Sequence, residues 1–264
     1  MDRTSLIGII LGFFAVGAGM ILKGIHPSIL INPAAILIII VGTIASVLIA
    51  FPTNEIKNLP ALLKAVFREQ KLTSQEEYIK MFVEFAALAR KEGLLSLEAR
   101  VAELDDHFLK NGLNLAIDGQ SPEFIRDVMM EEIEAMEERH QANAAIFSQA
   151  GTYAPTLGVL GAVLGLIAAL GNMEDIEALG HAIAAAFVAT LMGIFSGYVL
   201  WHPFANKLRR KSKQEVKIKK LIVEGVLSVQ EGQAPAIIQQ KLASYLPIHR
   251  RIEFLSQGEK QDAQ

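Results

Sequence analysis

The sequence predicts an all-α protein: four transmembrane helices, with a helical cytoplasmic domain between the second and third. Three observations predict it. Four apolar stretches, at 5–22, 29–51, 151–170 and 178–201, each approach the ~20 residues needed to cross a hydrocarbon core. Of the 25 Lys and Arg residues, only Lys23 lies in the connection after the first or the third stretch. Basic residues stay cytoplasmic, so both termini and the long polar connection are expected on that side. Hydrophobic residues make up 52% of the 264 and mean hydropathy is +0.34, high for a soluble domain. The expected segments are 1–51 (spans 1 and 2), 52–150 (the cytoplasmic domain), 151–202 (spans 3 and 4) and 203–264 (a basic cytoplasmic tail).

The first stretch follows Arg3 as a signal peptide would, but it exceeds a typical apolar core and lacks an A-x-A cleavage pattern. Reading it as an uncleaved anchor also gives the even span count that two basic cytoplasmic regions require. It carries Gly8, Gly12, Ala15 and Gly19 at three- or four-residue spacing; the third stretch has Gly158, Gly161 and Gly165, the fourth Gly193 and Gly197. Such spacings let helix backbones approach closely in lipid, so tight packing is expected, either within one chain or between copies or around a partner helix. The second stretch is apolar all round at 36–41, which suits a lipid-facing helix.

The interiors of the last two spans contain no Asp, Glu, Lys or Arg. Proton relays normally use an intramembrane carboxylate or imidazole, so an ion path here needs its titrating group from another chain. His181 and His202 sit at span ends, where an interfacial role is the ordinary one. Thr152, Thr156, Thr190 and Ser196 are the polar residues available, and the default for each is a bond to its own helix's carbonyl one turn back. Pro155 removes a helical hydrogen bond near the start of the third span and bends or loosens it. A static kink and a hinge beside a gate both remain open.

The connection 52–150 carries 11 basic and 18 acidic residues, the tail from Pro203 carries 12 and 6, so the two are expected to pack together or the tail to sit on anionic headgroups. Within the connection, Thr73-Ser74 followed by Glu76-Glu77 forms two overlapping capping boxes. A helix with Ile79, Phe82, Phe85 and Ala86 on one stripe follows, ended by Gly93. A second helix is expected over 96–111. Ser121 as N-cap with Pro122 at the first helical position starts a third, which finds no breaker before the third span. The run 131–138 holds five glutamates and no base. Arg90, Lys91, Glu92, Glu98 and Arg100 form a mixed-sign patch around Gly93; such charges are either an idle solvated face or a complementary docking surface. In the tail, Gly232 to Pro235 reads as a loop into a helix beginning at Pro235.

Several classes are excluded. With no cysteine, there is no disulfide, thiolate metal site or cysteine nucleophile. No G-x-S-x-G, Walker A or H-E-x-x-H motif occurs, and the six histidines lack metal-ligand spacing. Neither an enzyme, a metal centre nor a cofactor is expected. The basic tail lacks the aromatic-bearing folded module of a nucleic-acid binder, so no nucleic-acid partner is expected.

Four spans, the large second connection, AGTYAPTLGVLGAVLGLIAAL and AAAFVATLMGIFSGYVLWHPFANKL resemble the flagellar motor stator subunits of the MotA family, in its Bacillus-like branch. NPAAILIIIVGTIASVLIAFP, LARKEGLLSLE, DGQSPEFIRDVMMEEIEAMEERH and EGVLSVQEGQAP fit the same family, so the resemblance covers essentially the whole chain. ExbB and TolQ subunits are more distant relatives that share mainly the last two spans. An ExbB- or TolQ-like energiser of an envelope or outer-membrane system is therefore the alternative, disfavoured by the size and motifs of the cytoplasmic domain.

The resemblance implies a multi-pass protein of the bacterial cytoplasmic membrane, five copies of which surround two copies of a MotB-like partner. That partner has one span, an ion-carrying aspartate and a peptidoglycan grip, which fits the missing carboxylate here. Ion flow then turns the pentamer, and the cytoplasmic domain pushes the rotor protein FliG. Arg90 and Glu98 match the charges that engage FliG, within an intact R-x-x-G-x-x-S-L-E. Pro155, Thr156 and Thr190 match ion-path and gating positions, and Pro235 a second functional proline that couples conformation. Ala162 stands where sodium-type relatives carry a threonine; losing that oxygen implies protons as the coupling ion rather than sodium.

Overall fold

The computed structural model describes residues 3–69, 73–171 and 173–262. No strand occurs among them. Their helices, in order, are α1 (Arg3–Leu22), α2 (Pro33–Ala50), α3 (Thr53–Ile56), α4 (Leu59–Phe67), α5 (Gln75–Glu92), α6 (Glu98–Ala102), α7 (His107–Ile117), α8 (Pro122–Leu170), α9 (Ile176–Gln230), α10 (Pro235–Ala243) and α11 (Ile248–Asp262). Among them α1, α2, α8 and α9 are long and apolar enough to cross a membrane.

Local chemistry sets most starts and stops. At α5, the Ser74 hydroxyl accepts from the Glu77 amide while the Glu77 carboxylate accepts from the Ser74 amide, a complete capping box. Gly93 ends that helix at φ +85°, a left-handed conformation that costs glycine little. Ser121 accepts from the Phe124 amide at 3.2 Å and Pro122 opens α8, which continues without a break through the apolar stretch expected as the third span.

One expected helix is corrected, and the helices of two apolar stretches have bounds of their own. The helix expected over 96–111 is a 3-10 turn (Leu94–Leu97), then α6, then α7. Asp106 divides the last two by capping the amides of Phe108 and Leu109, because an aspartate accepts backbone donors best in a non-helical conformation. The second span begins at Pro33, where Asn32 caps Ala35, later than the apolar run that starts at residue 29. The helix of the fourth apolar stretch continues past Trp201 to Gln230, since the basic residues past Trp201 are good helix formers. Both α2 and α9 also contain a π-helical segment, Leu37–Val41 and Ser196–Trp201.

The packing units cut across the four expected segments. One unit lies within 3–69 and 139–211, the other within 73–138 and 212–262. In the first, Val66 of α4, Phe147 of α8, and Phe204 and Ala205 of α9 share a buried cluster. Its aromatic rings are close, with Phe147 stacked on Trp201 at 6.2 Å and Phe67 edge-on to Phe204 at 5.6 Å. Lys211 donates to the carbonyls of Ala65 and Arg68, each at 2.6 Å, and so caps the end of α4. The second span is not apolar to lipid all round: Ala35, Ile39, Thr43 and Val47 are buried on one face at four-residue spacing, while Leu37, Ile40, Val41 and Ile44 remain exposed.

In the second unit, Ile79, Phe82 and Phe85 of α5 join Leu97, Leu109, Leu113, Ile125, Met129, Leu221, Val226, Ile238 and Leu242 in one core. The acidic connection and the basic tail do pack together there. Arg126 meets Glu224 at 2.8 Å, Arg250 meets Glu76 at 3.1 Å and Lys219 meets Glu132 at 4.0 Å. Each pair joins one exposed and one half-buried partner; such pairs add little, and the apolar core supplies most of the energy.

Candidate functional site

The first group of residues singled out by sequence lies along the seam between α8 and α9. A side-chain carbon at Gly193 would sit 2.7 Å from the Ala154 carbonyl oxygen, and one at Gly158 would sit 2.8 Å from the Ala189 carbonyl oxygen. Gly161 faces Ala189, and Gly165 faces Ala186. The two backbones are in contact over several turns, as expected for the third and fourth spans. In α1 an added side-chain carbon would meet Val199 and Phe195 at Gly12 and nothing within 4 Å at Gly8 and Gly19, so within this one chain only Gly12 of the three faces a neighbouring helix.

Pro155 lies inside the continuous α8 and is half-buried. Proline cannot donate to the carbonyl four residues back, and that carbonyl belongs to Gly151. Gly197 approaches this oxygen so closely that a side-chain carbon there would be 2.7 Å from it and 2.8 Å from Pro155 Cγ. Gly197 falls within the π-helical segment of α9, a distortion that recurs at functional sites. Thus a proline-freed carbonyl on one span meets a locally widened turn on the other. The His202 ring covers the neighbouring Gly151.

Thr156 is exposed and donates to the Tyr153 carbonyl at 2.7 Å. Thr190 is half-buried and donates to the Ala186 carbonyl at 3.3 Å. Both make the local bond expected by default, which leaves their oxygen lone pairs as acceptors. Ala162 is half-buried beside Gly161, and Gly161 touches the residue before Thr190.

The second group lies in the other unit. Arg90 lies in the last turn of α5 and Glu98 begins α6, on either side of the Gly93 turn, and both are exposed. Among the described residues neither forms an ion pair, whereas Arg100 pairs with Glu84 at 3.7 Å and Lys91 with Glu92 at 3.4 Å. Leu97, fully buried, anchors the turn from below. Pro235 occupies the first turn of α10, where its missing amide costs nothing.

Sequence reasoning missed the polar cluster that holds α10. Glu224 of α9 takes Arg126 of α8 at 2.8 Å and Lys241 of α10 at 3.0 Å, and Lys241 also bonds the buried Ser228 at 3.1 Å. Burial pushes the Glu224 carboxyl up, but the hydrogen bonds from Arg126 and Lys241 outweigh it and hold the group below the usual carboxylate range. Burial and its bond to Asp106 raise the Tyr78 hydroxyl, which donates to Asp106 at 2.5 Å. No helical period reveals either cluster, because each joins residues far apart in sequence.

Residues 100–220 match the model of the MotA/TolQ/ExbB proton channel family, and residues 6–93 match the motility protein A N-terminal model. Motility protein A of Bacillus subtilis is 67% identical over 264 residues, which is 100% of this chain and 98% of that protein. The chain belongs to the MotA/TolQ/ExbB proton channel family. Its fold is similar to that in the flagellar MotAB stator complex from Bacillus subtilis, with TM-score 0.91, 68% identity, and 96% of this chain and 99% of that one covered. It is similar also to Campylobacter jejuni MotAB, with TM-score 0.89, 33% identity, and 94% and 97% covered. Within the family, this member is a four-span, all-helical membrane protein with the motility-protein N-terminal region.

Proposed function

We propose that the chain is the A subunit of a flagellar stator, which together with a MotB-like subunit conducts protons and turns their flow into torque on the rotor. The observation that carries this reading is the full-length likeness to motility protein A and to MotAB stator structures. Spans without an internal carboxylate, and a seam of bare backbone between α8 and α9, support a path whose titrating aspartate comes from the partner. Five copies of this chain surround two of the partner in this reading, with both termini in the cytoplasm. Pro155, Thr156, Ala162 and Thr190 border the path, and Ala162, which offers no oxygen ligand, favours protons over sodium. Arg90 and Glu98 engage FliG, and their exposure without ion pairs leaves both charges available for it. Pro235 sets the position of α10 and couples conformation. The membrane is the bacterial cytoplasmic membrane.

Complementation of a stator-deleted strain with this chain and its cognate partner tests the reading, with sodium and the proton gradient varied independently. Swimming should follow the proton gradient and ignore sodium; sodium dependence would overturn the ion assignment. Arg90→Glu combined with Glu98→Lys should abolish swimming while the complex still assembles, and intact motility would remove the FliG contact. An envelope energiser of the ExbB or TolQ kind shares the family, but the motility-protein match over residues 6–93 favours the stator.

A further inference from the structure

In the span segments of α8 and α9, exposed hydroxyl-bearing residues are confined to Thr152 and Thr156 on α8 and Tyr198 on α9, while Tyr153, Thr190 and Ser196 are half-buried. Ser148, half-buried, precedes Thr152 by one turn. Four-residue spacing places Ser148, Thr152 and Thr156 on one face of α8, over a rise of about 12 Å. Farther along the same face the exposed residues are Val159 and Val163. The ladder is internally bonded: Thr152 donates to the Ser148 carbonyl at 3.2 Å, and Thr156 to the Tyr153 carbonyl at 2.7 Å. Each threonine's hydrogen is therefore committed to its own helix, and its oxygen points outward as an acceptor only.

One bonded threonine is an ordinary membrane residue. An outward ladder of acceptors that gives way to valine at a defined depth is not what a lipid-facing helix presents, because hydrocarbon supplies no donors. Nor does it suit a metal cation, since three hydroxyls on successive turns of one helix make a line and not a cage. Water and hydronium are donors, and a line of acceptors orders them into a file. We infer that the Ser148–Thr152–Thr156 face of α8 lines a hydrated vestibule, which carries the coupling proton between the Lys207 end of the spans and the path at Pro155 and Thr190. The vestibule ends at Thr156, where the face becomes apolar. No bond to the protein forms or breaks: the proton passes between waters, and the hydroxyls hold those waters in line. This inference rests on the stator reading above and adds Ser148 and Thr152, which that reading does not use, as positioning residues.

The test uses the complete complex of this chain and its partner in stator-deleted cells, scored by low-load rotation speed in H2O and D2O and by co-purification of the two subunits. Thr152→Val keeps the shape and removes the acceptor; loss of one hydrogen bond to water in the file should slow rotation about fivefold with assembly unchanged. Thr152→Ser should restore most of the speed, and Ser148→Ala combined with Thr152→Val should slow rotation further and alter the H2O/D2O speed ratio. Should Thr152→Val and the double variant turn at wild-type speed with an unchanged isotope ratio, the vestibule is wrong while the stator reading stands. Equal slowing by Thr152→Val and Thr152→Ser would assign the position to packing and overturn the inference as well. If the wild-type complex fails to drive rotation, the stator reading falls and takes the vestibule with it.

Discussion

A side-chain carbon at Gly193 would lie 2.7 Å from the Ala154 carbonyl oxygen and 2.9 Å from Gly158 Cα, and neither neighbour is a flexible side chain that can move aside. Gly193→Ala must therefore push two helix axes apart, and forced overpacking of this kind costs about 1–3 kcal/mol. Its expected outcome is a lower melting temperature in detergent and loss of motility. Gly8→Ala serves as the control, since nothing lies within 4 Å of that position and the melting temperature should stay at or above wild type. Both glycines occupy small-residue patterns in the sequence. What separates them is a neighbouring backbone, which spacing along one helix cannot report.

Elements are held by groups that lie far apart in the chain. The tie between α9 and α10 runs through Glu224, with Arg126 and Lys241 on either side. Because the folded carboxyl is held below its ordinary value of 4.5, its contribution to stability is fully present above that pH and is lost as pH falls through the lower folded value. Glu224→Gln should lower thermal stability near neutral pH by about 1–2 kcal/mol, and should flatten the acid limb of the stability profile below about pH 4.5. An unchanged acid limb, read from unfolding curves, would locate the acid sensitivity in other carboxylates. Element boundaries were legible where a cap was encoded locally, as at Ser74, Gly93 and Ser121. They were misread where a short polar residue interrupts an apolar stripe, as Asp106 does between α6 and α7. The π-helical segments in α2 and α9 have no residue signature.

On the scale of the whole molecule, the asymmetry of Lys and Arg sets the expected orientation: the connection after α1 outside, and that after α9 inside. The chain has no cysteine, so single substitutions report topology without a background. Ser28 and Glu231 are both exposed. An impermeant maleimide added to intact cells should label Ser28→Cys and should reach Glu231→Cys only after permeabilisation; the reverse pattern would invert the topology. The second unit draws on two segments separated by more than seventy residues, so its core is complete only when both segments meet. That arrangement explains why the acidic connection and the basic tail, opposite in net charge, belong to one body.

Span number, helical class and the likeness to a motility-protein family followed from the sequence alone, because hydropathy, charge asymmetry and local caps are properties of contiguous residues. The Arg90–Glu98 motif and Pro155 were visible for the same reason. Only tertiary structure decided which glycines carry the α8–α9 seam, that the carbonyl freed by Pro155 meets Gly197 in a widened turn, and that Glu224 ties α10 to its neighbours. Each of those depends on which backbone comes within contact distance of which side chain, and in a helical membrane protein that is set by packing between helices rather than along them.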